Sequence, residues 1–199
     1  MKTISRFQRS ALVAITLAGL LSACDSSAAT ETSSTTSPPA APSPAAVPLT
    51  TDARPPTPAK TQGWLQIFGG TAPVGALHVV QLAVTSDPGI GQYVSDGGGR
   101  SLYRFDKDTA IPPTSTCAGQ CATTWPPLTV ARGQSVFAAG VDPQLVGFIE
   151  RGDGSCQITI GGWPVYYFSK DKQPGDLLGQ GVGGTWFAVT PNGGKALPK

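Results

Sequence analysis

The chain has 199 residues, a formal charge of +2 and only 13% charged residues, with 25 Gly, 19 Pro, four Cys and one His. Three basic groups, Lys2, Arg6 and Arg9, fall in the first 23 residues, and without that segment the charge drops by three to −1. No basic surplus is left to hold nucleic acid or anionic headgroups, and a single His leaves a Ser-His-Asp triad barely possible.

The N-terminal segment reads as an export signal. After the basic start, residues 11–20 are an apolar run too short to span a bilayer. The run ends in Leu21-Ser22-Ala23-Cys24, a lipobox pattern. It predicts removal of residues 1–23 and lipidation of Cys24, the alternative being ordinary cleavage near Ala23 with a free thiol. Several acyl chains on one residue hold a protein stably to a membrane, so the expected location is the cell membrane, facing outward. Residues 24–60 follow the anchor as a Ser/Thr/Ala/Pro-rich stretch with no aromatic residue. Such a stretch buries too little apolar surface to offset its ordering entropy, which predicts a disordered tether.

Residues 61–199 read as a single β-rich domain, with no convincing helical periodicity over 12 or more residues. Residues 75–85 alternate and place His78, Val80, Leu82 and Val84 on one face. Residues 91–96, the turn Gly97-Gly98-Gly99 and residues 100–105 carry a hairpin signature. Residues 155–160, Gly161-Gly162 and residues 163–168 repeat it. Asp87-Pro88 and Asp142-Pro143 open the two units, and Trp125-Pro-Pro-Leu128 and Thr185-Trp186-Phe-Ala-Val189 close them. Arg151-Gly-Asp-Gly154 reads as an additional turn in the second unit.

The decisive pattern is a duplication. Leu102-Tyr103-Arg104-Phe105-Asp106-Lys107-Asp108 returns 63 residues later as Val165-Tyr166-Tyr167-Phe168-Ser169-Lys170-Asp171, and each copy is followed by a lone Trp, Trp125 or Trp186. Self-similarity at fixed offsets means one supersecondary unit used twice. The fold class is therefore all-β, two tandem antiparallel units packed into one domain around a shared aromatic core. Along a strand Tyr103 and Phe105 share a face, as do Tyr166 and Phe168. Asp108 and Asp171 fall where the strands end and can accept bonds from turn N–H groups. Tyr and Asp of one copy are separated by about 16 Å of extended chain. Contact between them needs a loop that folds back, or a partner from the other repeat. The preferred reading is structural: the rings fill the core and the carboxylates organise turns. The alternative has both repeats presenting Tyr and Asp to a shared ligand groove.

These residues carry a family resemblance. Tyr-x-Phe-x-x-Asp occurs twice. Cys117-Ala-Gly-Gln-Cys121 leads into Trp125-Pro126-Pro127-Leu128, and Arg151-Gly-Asp-Gly154 precedes Gly162-Trp-Pro-Val-Tyr166. Asp171-Lys-Gln-Pro174-Gly175-Asp176 and Gly179-Gln-Gly-Val-Gly183-Gly184-Thr-Trp186 follow. In this order they resemble the secreted-repeat bacterial lipoproteins known for a Y-x-(F/W/Y)-x-x-D motif. The resemblance spans roughly residues 87–190. It implies an exported, lipid-anchored protein with tandem β-rich repeats, and no reaction. Cys156 departs from it, standing where the family leads one to expect a polar residue.

Outside the cytoplasm thiols oxidise, which predicts a Cys117–Cys121 disulfide and leaves Cys156 odd. A sharper alternative makes Cys117, Cys121 and His78 a copper(I) ligand set; as a blander one, His78 is a satisfied core side chain. Flat faces on Trp125, Trp163 and Trp186 would suit an envelope glycan, with core packing as the competing reading. Gly179-Gln-Gly181-Val-Gly183-Gly184 satisfies G-x-G-x-x-G, but a strand rather than a helix is expected to follow it, so it is no dinucleotide site. Ser169-Lys-Asp-Lys172 lacks the partners of a β-lactamase nucleophile. No calcium-loop spacing supports the acidic turns. The expectation is a non-catalytic envelope lipoprotein, with no metal and no cofactor. It would contact the membrane through its anchor, and an envelope protein or glycan through its body. The alternative is a thiol/disulfide or copper-linked redox accessory.

Overall fold

The computed structural model describes residues 56–199. The export signal, Cys24 and most of the tether therefore lie outside the described residues.

Strands β1 (Lys60–Gln62) and β2 (Leu65–Gly69) form an antiparallel pair. Then come β3 (Val79–Asp87) and β4 (Gly91–Asp96), paired from Leu82↔Asp96 to Asp87↔Gly91. The Asp87 carboxylate accepts from the N–H groups of Gly89 and Ile90 and so fixes the turn between them. β5 (Tyr103–Phe105) is followed by a small hairpin of β6 (Thr109–Ala110) and β7 (Pro113–Thr114). One helical turn, α1 (Gln120–Thr124), precedes β8 (Thr129–Val130) and β9 (Ser135–Ala139). The second half has β10 (Val146–Glu150), β11 (Cys156–Ile160), β12 (Trp163–Tyr166) and β13 (Trp186–Ala188).

Two main sheets result. The first has the order β1-β2-β9-β3-β4, with β9 parallel to both β2 and β3. The second has the order β10-β11-β12-β5-β13, with β8 added on β11. Leu65, Leu82, Val94 and Val136 from the first sheet share one aliphatic cluster with Ile158, Ile160 and Val165 from the second. The aromatic residues make a separate cluster. The edge of β10 is covered by a side chain acting as a peptide group: the Gln62 amide accepts from Phe148 N–H and donates to its carbonyl.

The all-β duplicated architecture agrees with the sequence, and several local expectations are corrected. The first hairpin is reduced to a single bridge, Ser95↔Ser101. Beyond it the chain swings away, and Tyr103–Phe105 pairs with β12 and β13 instead of β4. The second hairpin forms as expected, through Ile160↔Trp163. His78 is not on the strand's core face. It is exposed, with φ of 57°, just before β3 begins, and an L-residue in the left-handed region breaks strand alternation. The parallel strand β9 lies between the repeats and belongs to neither hairpin pattern. It was missed, like β1 and β2, because short apolar runs carry no period of their own.

Candidate functional site at the repeat junction

Each repeat supplies the closing strand of the other. After Trp186, the second repeat lays Phe187 and Ala188 beside Arg104 and Tyr103 of the first. After Trp125, the first repeat lays Pro127 beside Tyr166 of the second. The hydrogen bonds correspond one to one. Val189 N–H donates to the Leu102 carbonyl as Leu128 N–H does to that of Val165, and Asp106 N–H reaches Thr185 as Ser169 N–H reaches Thr124. Val189 also accepts from Val94 N–H, as Leu128 accepts from Ile158 N–H. Each closing segment thus wedges into the fork of the other repeat's hairpin, which is why the first hairpin opens after one bridge.

This exchange brings the motif residues together across the junction. Tyr103 donates to Asp171 Oδ2 at 2.7 Å and Tyr166 donates to Asp108 Oδ2 at 2.6 Å. Of the two routes to a Tyr–Asp contact, the structure takes the one through the other repeat. Each carboxylate also organises its own turn. Asp108 Oδ1 accepts from Thr116 N–H (2.7 Å) and Oγ1 (2.9 Å), and Asp171 Oδ1 accepts from Leu178 N–H (3.1 Å).

Between the two pairs runs a column of four rings in the order Phe105, Trp186, Trp125, Phe168. Centroid spacings are 4.1, 3.8 and 4.2 Å, and the two indoles lie within 1° of parallel. The tyrosines meet this column edge-on, Tyr103 against Trp125 at 5.5 Å and Tyr166 against Trp186 at 5.2 Å. The edge contacts suit the ring quadrupoles.

Burial raises the phenols of Tyr103 and Tyr166 far above the ordinary tyrosine range, and the partner carboxylates add to this. Burial also pushes the carboxyls of Asp108 and Asp171 up from 3.8, against the hydrogen bonds that stabilise their ionised forms. At the Tyr166 end the network continues inward. Ser115 Oγ lies 2.7 Å from the Tyr166 hydroxyl, and buried Arg151 donates to Ser115, to Gln157 and to the Cys117 carbonyl. At the Tyr103 end Gly179 N–H donates to the hydroxyl at 3.3 Å, and among the described residues no cation is hydrogen-bonded to the pair.

Cys117 and Cys121 form the disulfide, so as found neither offers a thiolate to a metal, and exposed His78 stands outside the aromatic cluster that holds them. Cys156 is free and half-buried at the start of β11, against the aliphatic cluster. Of the three indoles weighed as a glycan face or as core, Trp125 and Trp186 are core: they are only 4% and 5% exposed and stack on each other. Trp163 is half-buried with the Arg104 guanidinium 3.2 Å above its ring. The glycine-rich run leads through a short 3₁₀ turn into β13, with no helix to hold a pyrophosphate.

Sequence reasoning missed the Arg151–Ser115–Gln157 network, which carries no motif. It also missed a second pair of exchanged contacts that the 63-residue offset does contain. Arg104 packs on Trp163, and Arg100 packs on Tyr167 at 3.8 Å. Positions 100 and 163 are equivalent, as are 104 and 167, so the pairing crosses between the two positions, with the first repeat supplying both cations and the second both rings.

Residues 84–129 and 147–190 each match the family model described as a secreted repeat of unknown function. No curated protein and no solved structure matches the chain.

Proposed function

This chain carries two tandem copies of the secreted repeat of unknown function, and from that premise we propose that it is a lipid-anchored envelope protein. Its body works as a non-catalytic interaction module, held off the membrane by the tether that follows Cys24. The observation that carries this reading is the reciprocal burial of the motif. Tyr103, Phe105, Tyr166, Phe168 and both indoles are spent on one another, and Asp108 and Asp171 bind phenols and turn amides. With no motif side chain facing a substrate, recognition falls to the surface. The Cys117–Cys121 disulfide fits an oxidising compartment, and none of the described helices is long and apolar enough to cross a membrane.

The surface offered is a groove of about 720 Å³ between the β3–β4 turn and the last ten residues. Gln92, Asn192 and Lys199 bring amide and ammonium donors to it, beside Ile90 and Leu197. This mixed lining suits a protein partner better than a sugar ring, since no exposed indole stands beside it.

Two measurements test the reading. Mass spectrometry of the N-terminal peptide should show Cys24 acylated, and Cys24→Ala should move the protein from the membrane fraction to the soluble exported fraction. A photo-crosslinking residue at position 92 should trap a discrete partner in intact cells, while one at exposed Val74 should not. An unmodified Cys24 ends the anchoring claim, and equal labelling at both positions ends the claim for the groove.

A further inference from the structure

We infer that Tyr103, Trp125, Trp186 and Tyr166 form a one-electron relay through the repeat junction, which accepts an oxidising equivalent from an outer-sphere, high-potential metal oxidant and holds it as a tyrosyl radical. This goes beyond the interaction module and does not depend on the anchor or the groove.

Three geometric facts carry the relay. First, the indoles lie face to face at 3.8 Å and 1°, an arrangement in which their π orbitals overlap and a positive hole is shared. Second, each indole touches one tyrosine edge-on, at 5.5 and 5.2 Å, so the four rings make a continuous path. Third, a phenol gives up an electron readily only if its proton leaves at the same time. Each hydroxyl here already donates to a carboxylate oxygen, at 2.7 and 2.6 Å. Packing alone asks for a ring at each of these positions. It does not ask for a phenol with its own proton acceptor, twice.

The step balances within the domain. The oxidant takes one electron from the indole pair and is itself reduced by one. An electron then passes from the Tyr103 ring to the indole, while the phenolic proton moves to Asp171 Oδ2. The Tyr103 O–H bond breaks and a carboxyl O–H bond forms. A closed-shell indole, a neutral tyrosyl radical and a protonated Asp171 remain. A one-electron reductant returns the electron, and the proton goes back. Tyr103 and Tyr166 have no exposed surface, which keeps water and radical partners away from the stored equivalent.

The two ends are not equal. The Asp108–Tyr166 pair faces Thr116, Ser115 and, through Ser115, the Arg151 guanidinium. A fixed cation there favours the ionised Asp108 and so opposes transfer of the phenolic proton to it. The Asp171–Tyr103 pair faces the Asp176 carbonyl and the N–H groups of Leu178 and Gly179, and among the described residues no cation is hydrogen-bonded to it. The equivalent therefore settles on Tyr103. Trp163 and Trp64 lie off the path, the first under Arg104 and the second against Phe148.

The test is flash oxidation of the full chain, with its disulfide intact, by photo-generated ruthenium(III) tris-bipyridine. Formation is followed by transient absorption and the radical is assigned by freeze-quench electron paramagnetic resonance. A tyrosyl signal is expected in the native protein, largely kept in Tyr166→Phe, weakened in Tyr103→Phe, where only the less favoured Tyr166 is left, and lost in the double variant; a signal that survives the double variant unchanged overturns the relay. Asp171→Asn should slow its formation by about a hundredfold, the scale of removing a positioned proton acceptor. Trp125→Phe should divert the oxidation to surface groups. Near-ultraviolet circular dichroism checks that each variant is folded. Should the variants not fold, native protein in heavy water must still show slowed tyrosyl formation. Unchanged rates in Asp171→Asn, no solvent isotope effect, or a radical confined to Trp64 or Trp163 overturns the relay.

Discussion

Trp125 and Trp186 occupy the same position in the two repeats and stack on each other, 3.8 Å apart, where the repeats exchange their closing strands. Neither indole packs chiefly within its own repeat: Trp125 lies on Phe168, and Trp186 lies on Phe105. The two copies are thus interlocked, and the aromatic column can form only when both are folded.

That interlock makes the energetics of the two indoles interdependent. Trp125→Ala and Trp186→Ala should each destabilise the domain by about 3–5 kcal/mol, the range for emptying a buried Trp site. The double variant should fall short of the sum by about 1 kcal/mol, because the second substitution removes a ring whose stacking partner is already gone. Urea unfolding followed by circular dichroism measures all three. Strict additivity would show that the stack adds nothing beyond burial.

The phenol–carboxylate pairs differ in depth, so their loss should differ in cost. In Tyr166→Phe the Asp108 carboxylate, only 3% exposed as a residue, keeps its Thr116 donors but loses a charge-assisted bond. A cost of about 2 kcal/mol is expected. Asp171 is less buried and can turn to water, so Tyr103→Phe should cost about half as much. Denaturant midpoints in the reverse order would show that the Asp108 pocket rearranges around the missing hydroxyl.

Much of this junction could be read from the residues, and the unread part has definite causes. The 63-residue offset gave the duplication, the buried rings and the turn-forming carboxylates, because ring spacing along a strand fixes which face they share. The offset could not say which repeat each Asp serves. That depends on Val189 and Leu128 entering the opposite hairpin forks, a long-range event with no local signature. Strand β9 was illegible because its partners β2 and β3 are parallel to it and distant in sequence. The buried Arg151 looked like a turn residue, since its partners Ser115 and the Cys117 carbonyl come from the other repeat.

The glycine-rich run before Trp186 also gains a physical reason. A Cβ on Gly179 would sit 2.7 Å from the Tyr103 ring and 3.0 Å from Trp125, whereas one on Gly152 would meet nothing within 4 Å. Gly179→Ala should therefore cost about 1–3 kcal/mol by overpacking the column. Gly152→Ala, equally free of a positive φ, should stay within about 0.5 kcal/mol of the native protein. Thermal melts of the two variants side by side make the comparison. Equal melting temperatures would mean that the loop carrying Gly179 yields freely.

The raised carboxyl of Asp108 sets the sign of a pH effect. Burial is the largest cause, opposed by the Tyr166 and Thr116 donors and by Arg151. Above 3.8 and below the raised value, the folded state holds this proton more often than the unfolded chain does. Rising pH in that window therefore lowers stability. The contribution is fully present in acid and is lost as pH climbs through the folded value; Asp171 acts with the same sign. Asp108→Asn removes the titration while its amide oxygen can still accept from Thr116. The stability of the native protein minus that of Asp108→Asn, measured by urea unfolding from pH 3 upward, should be most positive at the acid end and decline towards neutrality. Tyr103 and Tyr166 impose a second limit. Their phenols are held above the ordinary value of 10.0 by burial and by the carboxylates. The stability they confer is intact below that value and drains away above it, so alkaline unfolding and tyrosinate absorbance should rise together. A difference curve that increases with pH between 4 and 7 would mean that the donors around Asp108 outweigh its burial.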